Sequence, residues 1–193
     1  LYSIYIAFTG AETLALCLAG MPFYDALLTS FATACTGGFS VRNASIAAYG
    51  LPACEIIVTV FMLLCSVNFA VYFLFLTRRL KQALRSDELR FFLCAVLGAV
   101  ALIFWNLLPT YDAAGHALRD TWFQVASVVS TSGFSTADFA QWPVLSQLVL
   151  IGLMFLGGCA GSTAGGIKCS RILLMLRCAG RSLSRLSHPR ATK

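Results

Sequence analysis

The sequence predicts an all-α membrane protein of repeated helix–loop–helix units, with re-entrant half-helices and a broken last transmembrane helix. Three observations lead there. The chain is 59% hydrophobic and 11% charged, against roughly 45–50% and 25% in soluble proteins. A T-x-G-F-S motif occurs twice, at Thr36–Ser40 and Thr131–Ser135, at an offset of 95 residues. Gly157–Gly166 places ten small residues inside an apolar run, where each glycine costs a helix about 1 kcal/mol relative to alanine.

Along the chain, apolar runs near the roughly 20 residues that cross the hydrocarbon core occupy Leu1–Gly20, Leu51–Thr77, Phe91–Leu108 and Pro143–Leu156 with its continuation. Four spans are predicted. The chain begins inside the first of them with no start methionine or charged stretch ahead, so it reads as a piece of a longer chain and not as a signal peptide. Twelve of the fourteen Lys and Arg lie in Arg78–Arg90 or from Lys168 onward, whereas Asp25, Asp112, Asp120 and Asp138 lie in the other connections. By the positive-inside rule, residues 78–90 and 177–193 are cytoplasmic and residues 42–48 and 110–118 are outside. The same distribution accounts for the net charge of +6 without nucleic acid. Eight cysteines scattered through apolar stretches, with no C-x-x-C pair, read as small buried hydrophobes.

The two motifs sit in equivalent surroundings. Residues 24–40 align without a gap on 119–135, so that Asp25/Asp120, Thr36/Thr131, Gly38/Gly133, Phe39/Phe134 and Ser40/Ser135 coincide. Each unit has a span, a stretch of about a dozen residues opened by Asp, the motif, and a second span entered near Pro52 or Pro143. Those stretches are too short to cross the bilayer and suit re-entrant half-helices. Asp25 and Asp120 are expected at the positive N-terminal ends, leaving the partially negative C-terminal ends aimed at the membrane centre. A cation is stabilised there.

A dehydrated monovalent cation needs oxygens to replace its hydration shell, and backbone carbonyls supply them where glycine admits unusual dihedrals. Thr36, Gly37, Gly38, Thr131, Ser132 and Gly133 are therefore the candidate ion-binding residues, with Phe39 and Phe134 expected to pack behind the loops. Beneath them, Pro143–Cys178 as one helix would run about 54 Å, too long for the hydrocarbon core, so a break is expected within 157–166. A phosphate-binding loop fails, because Ile167 stands where lysine is required and no strand precedes it. Gly157, Gly161 and Gly165 also form a doubled G-x-x-x-G, which suits helix packing. A flexible gate of Gly157, Gly158, Gly161, Ser162, Thr163, Gly165, Gly166 and Lys168 fits the position below the motifs better. Lys168 and Arg171 fit either a functional role at depth or snorkelling to the cytoplasmic face. Glu12 requires a partner on a neighbouring helix, and Asn68 suits a structural hydrogen bond between helices.

On the quoted T-x-G-F-S motifs and on Gly157–Lys168, the chain resembles the Trk/Ktr/HKT superfamily of potassium transporters over essentially its whole length. The resemblance implies the second and third of four helix–pore-loop–helix repeats around one pore: residues 1–77 and 91–178, joined by the basic linker 78–90 and followed by the basic segment 179–193. It places the filter glycines on Gly38 and Gly133 and the intramembrane gating loop on 157–166. It further implies K⁺ as the transported ion with no organic cofactor, and a multi-pass protein among the lipids of the bacterial cytoplasmic (inner) membrane. A homodimer of full-length chains and a TrkA-like cytosolic nucleotide-binding regulatory subunit are implied as well. Relatives with serine in the first filter loop carry Na⁺, and that loop lies outside this sequence, so a Na⁺-permeable relative is one alternative. A non-conducting assembly segment whose glycines only pack helices is another. An enzyme is not expected, because His116 and His188 stand apart from any convergent acid, base or metal set.

Overall fold

The computed structural model describes residues 2–77, 86–111 and 113–187. Asp112, most of the basic linker (78–85) and the end of the basic tail (188–193, with His188) lie outside the described residues. The elements are α1 (Tyr2–Leu18), α2 (Phe23–Ala34), α3 (Pro52–Ser66), α4 (Phe69–Leu76), α5 (Asp87–Leu107), α6 (Ala114–Val129), α7 (Val144–Phe155) and α8 (Cys169–Ser187). Short 3-10 turns at Ser45–Tyr49 and Phe139–Gln141 precede α3 and α7. Proline opens three of the helices: Pro22 and Pro143 flank α2 and α7, and Pro52 is the first residue of α3. Its fixed φ and missing N–H suit a helix start. Gly20, at φ 101°, ends α1 in a turn that folds α2 back against it.

Two apolar cores result, and α6 belongs to both. Leu16, Met21, Ala26, Ile46, Val58 and Met62 of the first unit close around Phe123, Ala126 and Phe134 of the second. Phe92, Val96, Val100, Ile103, Leu107, Leu150 and Leu153 pack with Val125 and Val129 from the other side of α6. A helix apolar on both faces is a buried one, and here it welds the units. In its second turn Arg119 meets Glu55 of α3 at 2.7 Å, without hydrogen-bond alignment.

The four apolar runs do not fold as four uninterrupted helices. Among the described residues α5 is the one helix long and apolar enough to cross a membrane unaided, while α1 has 17 residues and α7 has 12. The expected span Leu51–Thr77 is two helices, α3 and α4, bent by 94°. Hydropathy is continuous through the bend, so the cause lies in hydrogen bonds from elsewhere in the chain. The break expected within 157–166 is present: α7 stops at Phe155 and α8 starts at Cys169.

Two further expectations are corrected. Asp25 sits in the first turn of α2, but Asp120 is nearly two turns into α6, which starts at Ala114. Ala114, Ala117, Leu118 and Arg119 are good helix formers and carry the helix backward past the aspartate. There Asp120 accepts from the Tyr111 hydroxyl at 3.0 Å and faces Arg119 at 4.0 Å. Phe134 is buried as expected, yet Phe39 is 84% exposed. Phe134 enters the core of the preceding unit, and no described unit precedes the one that carries Phe39.

Candidate functional site

Both half-helices end the same way. The amide of Gly37 donates to the Ala32 carbonyl at 2.8 Å and that of Thr36 to Thr33 at 3.1 Å; Ser132 donates to Ser127 at 3.2 Å and Thr131 to Val128 at 3.1 Å. This paired closure is a Schellman motif, in which glycine normally takes the left-handed position. Here that position is threonine, at φ 54° for Thr36 and 59° for Thr131. A β-branched residue in that conformation is strained, by about 1–2 kcal/mol, and such strain collects at functional sites. Gly38 and Gly133 follow at φ 66° and 78°.

The two loops meet. A Cβ on Gly38 would collide with the Ser132 carbonyl oxygen and come within 2.8 Å of its carbon, so only glycine fits against the second loop. That loop is braced from behind: the Ser127 hydroxyl donates to the Phe134 carbonyl at 2.6 Å, Gln124 to Ala137 at 2.8 Å, and the Ser130 and Ser132 hydroxyls lie 2.6 Å apart. At the start of α2 Asp25 accepts from Tyr49 at 2.8 Å and faces Arg42 at 3.6 Å. Burial, reinforced by that bond to Asp25, pushes the Tyr49 hydroxyl up from its ordinary pKa.

Residues 157–166 form a closed loop whose ends touch. The Gly157 amide donates to Ile167 at 3.0 Å, and the Ile167 amide donates to Phe155 at 3.2 Å. Gly161 and Gly166 take φ 74° and 72°. Gly157, Gly161 and Gly165 therefore share no helix face, which removes the geometry the G-x-x-x-G packing motif needs. The loop is tied to both motifs: Thr36 Oγ1 donates to the Thr163 carbonyl at 3.1 Å, and Thr131 Oγ1 accepts from the Gly165 amide at 2.7 Å. Lys168 Nζ turns back to the carbonyls of Ser162, at 3.5 Å, and Ala164. Its ammonium is held within the loop instead of snorkelling away.

The same loop bends α3 from α4. A continuous helix would give the Cys65 and Ser66 carbonyls to the amides of Phe69 and Ala70. Instead Ser66 accepts from the Cys159 amide at 2.9 Å and Cys65 from Thr163 Oγ1 at 3.3 Å. Phe69 donates to Gly161 at 3.2 Å, and Ala70 donates to Asn68 Oδ1 at 2.8 Å. These four displaced groups are all satisfied, and Asn68 serves as the cap of α4. The half-spans around this bend were hidden from sequence reasoning, as were the Glu55–Arg119 pair and Glu88, whose Oε1 accepts from Ala160 and Ser170. Glu12 is the reverse case: both of its carboxylate oxygens are buried with no hydrogen-bond partner among the described residues. The Thr33 hydroxyl beside it donates to Thr29.

Fold and site together define a class: an all-α membrane protein in which two re-entrant half-helices end in facing, strained loops above a third, glycine-rich loop. The chain belongs to the TrkH family of cation transport proteins, which matches residues 2–193. A Trk system potassium uptake protein TrkH from Salmonella typhimurium is 40% identical over 99% of this chain and 40% of its own. The Trk system potassium uptake protein TrkG of Escherichia coli K12 is 35% identical over 90% of this chain. The crystal structure of the potassium transporter TrkH from Vibrio parahaemolyticus superposes with a TM-score of 0.94 at 37% identity, covering 100% of this chain and 42% of that one. The chain thus spans about 40% of the length of the first of these relatives.

Proposed function

We propose that the chain supplies two of the repeats of a pore-forming K⁺ uptake subunit in the bacterial cytoplasmic membrane. Thr36, Gly37, Gly38, Thr131, Ser132 and Gly133 line its filter, and the loop 157–166 with Lys168 is its gate. The observation that carries this reading is the convergence of three loops: Gly38 rests against the Ser132 carbonyl, and both left-handed threonines are hydrogen-bonded to the glycine loop. Carbonyls gathered at the negative ends of two half-helices suit a dehydrated cation. A flexible loop directly beneath them obstructs its path. The units are residues 1–77 and 91–178, with the linker 78–90 and segment 179–193 on the cytoplasmic side.

The exposed Phe39 supports a ring that needs further repeats, since its counterpart Phe134 is buried in the unit before it. By family likeness the complete protein is a homodimer in lipid, regulated by a TrkA-like cytosolic nucleotide-binding subunit docked on the basic face. The test is ⁸⁶Rb⁺ and ²²Na⁺ flux through the full-length protein in liposomes. Selective Rb⁺ flux that K⁺ competes away is expected. Equal Na⁺ flux favours a Na⁺-permeable relative, and the absence of flux from correctly assembled protein overturns the pore reading in favour of a scaffold.

A further inference from the structure

Glu88 lies in the first turn of α5, near the C-terminal end of the basic linker 78–90, and its side chain is half-buried against the glycine loop. One oxygen, Oε1, receives the Ala160 amide at 2.6 Å and the Ser170 amide at 3.2 Å. Ala160 is inside the loop and Ser170 is in the first turn of α8, so a single carboxylate binds one limb of the loop to the helix that follows it. We propose that Glu88 is a positioning residue for the gate, holding residues 157–166 in the obstructing conformation; this rests on the gate reading above.

The chemistry of the contact separates it from the loop's ties to α3 and to the second T-x-G-F-S motif; the loop's other charged contact, Lys168, lies within the gate itself. Cys159 and Gly165 donate to a neutral carbonyl and a neutral hydroxyl, whereas Glu88 offers an anion, and charge-assisted bonds are about twice as strong as neutral ones. Ser170 is also the second residue of a 19-residue helix, whose positive N-terminal end favours a carboxylate. Asp87, the preceding residue, pairs with Arg177 further along α8. The first turn of α5 therefore grips α8 at two places and the loop at one. Displacing α8 or the start of α5 from the cytoplasmic side pulls on Glu88, and Glu88 pulls on the loop.

A simple helix cap would make the same bond to Ser170, and the experiment separates the two roles. Glu88→Ala, Glu88→Gln and a deletion of residues 161–165 are made in the full-length protein and reconstituted at matched dimer content. Basal Rb⁺ flux is read beside thermal stability. Glu88→Ala is expected to raise basal flux on the order of tenfold, as the loss of charge-assisted bonds from a closed state would. Glu88→Gln keeps an accepting oxygen without the charge and should fall between it and wild type. Should Glu88→Ala fail to assemble, Glu88→Gln alone carries the test, and its flux at the wild-type level overturns the proposal. Lower stability with unchanged basal flux in both variants, while the loop deletion conducts, makes Glu88 only a cap and leaves the gate intact. No rise in flux from the deletion itself removes the gate, and the role of Glu88 with it.

Discussion

Replacing Gly38 by alanine is the sharpest test of the filter. Two separable penalties follow from the geometry. Left-handed backbone at φ 66° costs an L-residue about 1–2 kcal/mol. The new methyl also falls on the Ser132 carbonyl, and relieving such overpacking costs typically about 1–3 kcal/mol. The sum, on the order of 2–5 kcal/mol, is stored where the two loops touch, because Ser132 is braced by Ser130 and its loop by Ser127 and Gln124. At about 1.4 kcal/mol per decade, directing even half of the smaller sum into a displaced carbonyl reduces K⁺ over Na⁺ preference by roughly a factor of five or more. The assay is bi-ionic flux by reconstituted full-length protein, with dimer content checked by size exclusion. A Gly38→Ala protein that assembles normally and keeps the wild-type permeability ratio refutes the argument, since the carbonyl cannot both stay in place and accommodate the methyl.

Thr36→Val and Thr131→Val preserve shape and left-handed strain but remove the hydroxyls that tie the glycine loop; each should raise basal flux, the double variant most, and unchanged flux in the double variant disconnects filter from gate. Single cysteines at Ser86 and Ala113 in a cysteine-free background should label with an impermeant reagent from inside and outside respectively; the opposite pattern inverts the topology. Glu12→Gln replaces a buried carboxyl whose oxygens lack a hydrogen-bond partner among the described residues by an uncharged group of the same shape, so assembly and thermal midpoint should be kept or raised. A fall in the midpoint by several degrees would mean that the carboxylate has a stabilising partner.

The legible parts of this molecule were those written as local pattern. Paired motifs in register gave both half-helices and both loops, and the glycine run gave the break between α7 and α8, because small residues weaken a helix wherever they stand. The bend between α3 and α4 was illegible for the opposite reason. Cys65, Ser66, Asn68 and Phe69 are ordinary in an apolar helix, and only the arrival of Cys159, Gly161 and Thr163, nearly a hundred residues later, redirects their backbone groups. Asp120 misled because equivalence in sequence was read as equivalence in helix position, while α6 gained extra residues at its start. Glu88 carried no motif at all. Its role depends on which amides lie opposite it, and that is decided by packing.

The burial of Phe134 in the core of the first unit also has a temporal meaning. Leu16, Ile46, Val58 and Met62 surround a site that is filled from the second T-x-G-F-S loop, 95 residues after the first in the chain. During synthesis at about 5–20 residues per second, the 72 residues from Met62 to Phe134 leave that site open for roughly 4–14 seconds. For that interval its apolar lining is available to lipid or to a membrane chaperone. The first unit is thus left unfinished until the second emerges, so the two are joined in the order in which they are translated.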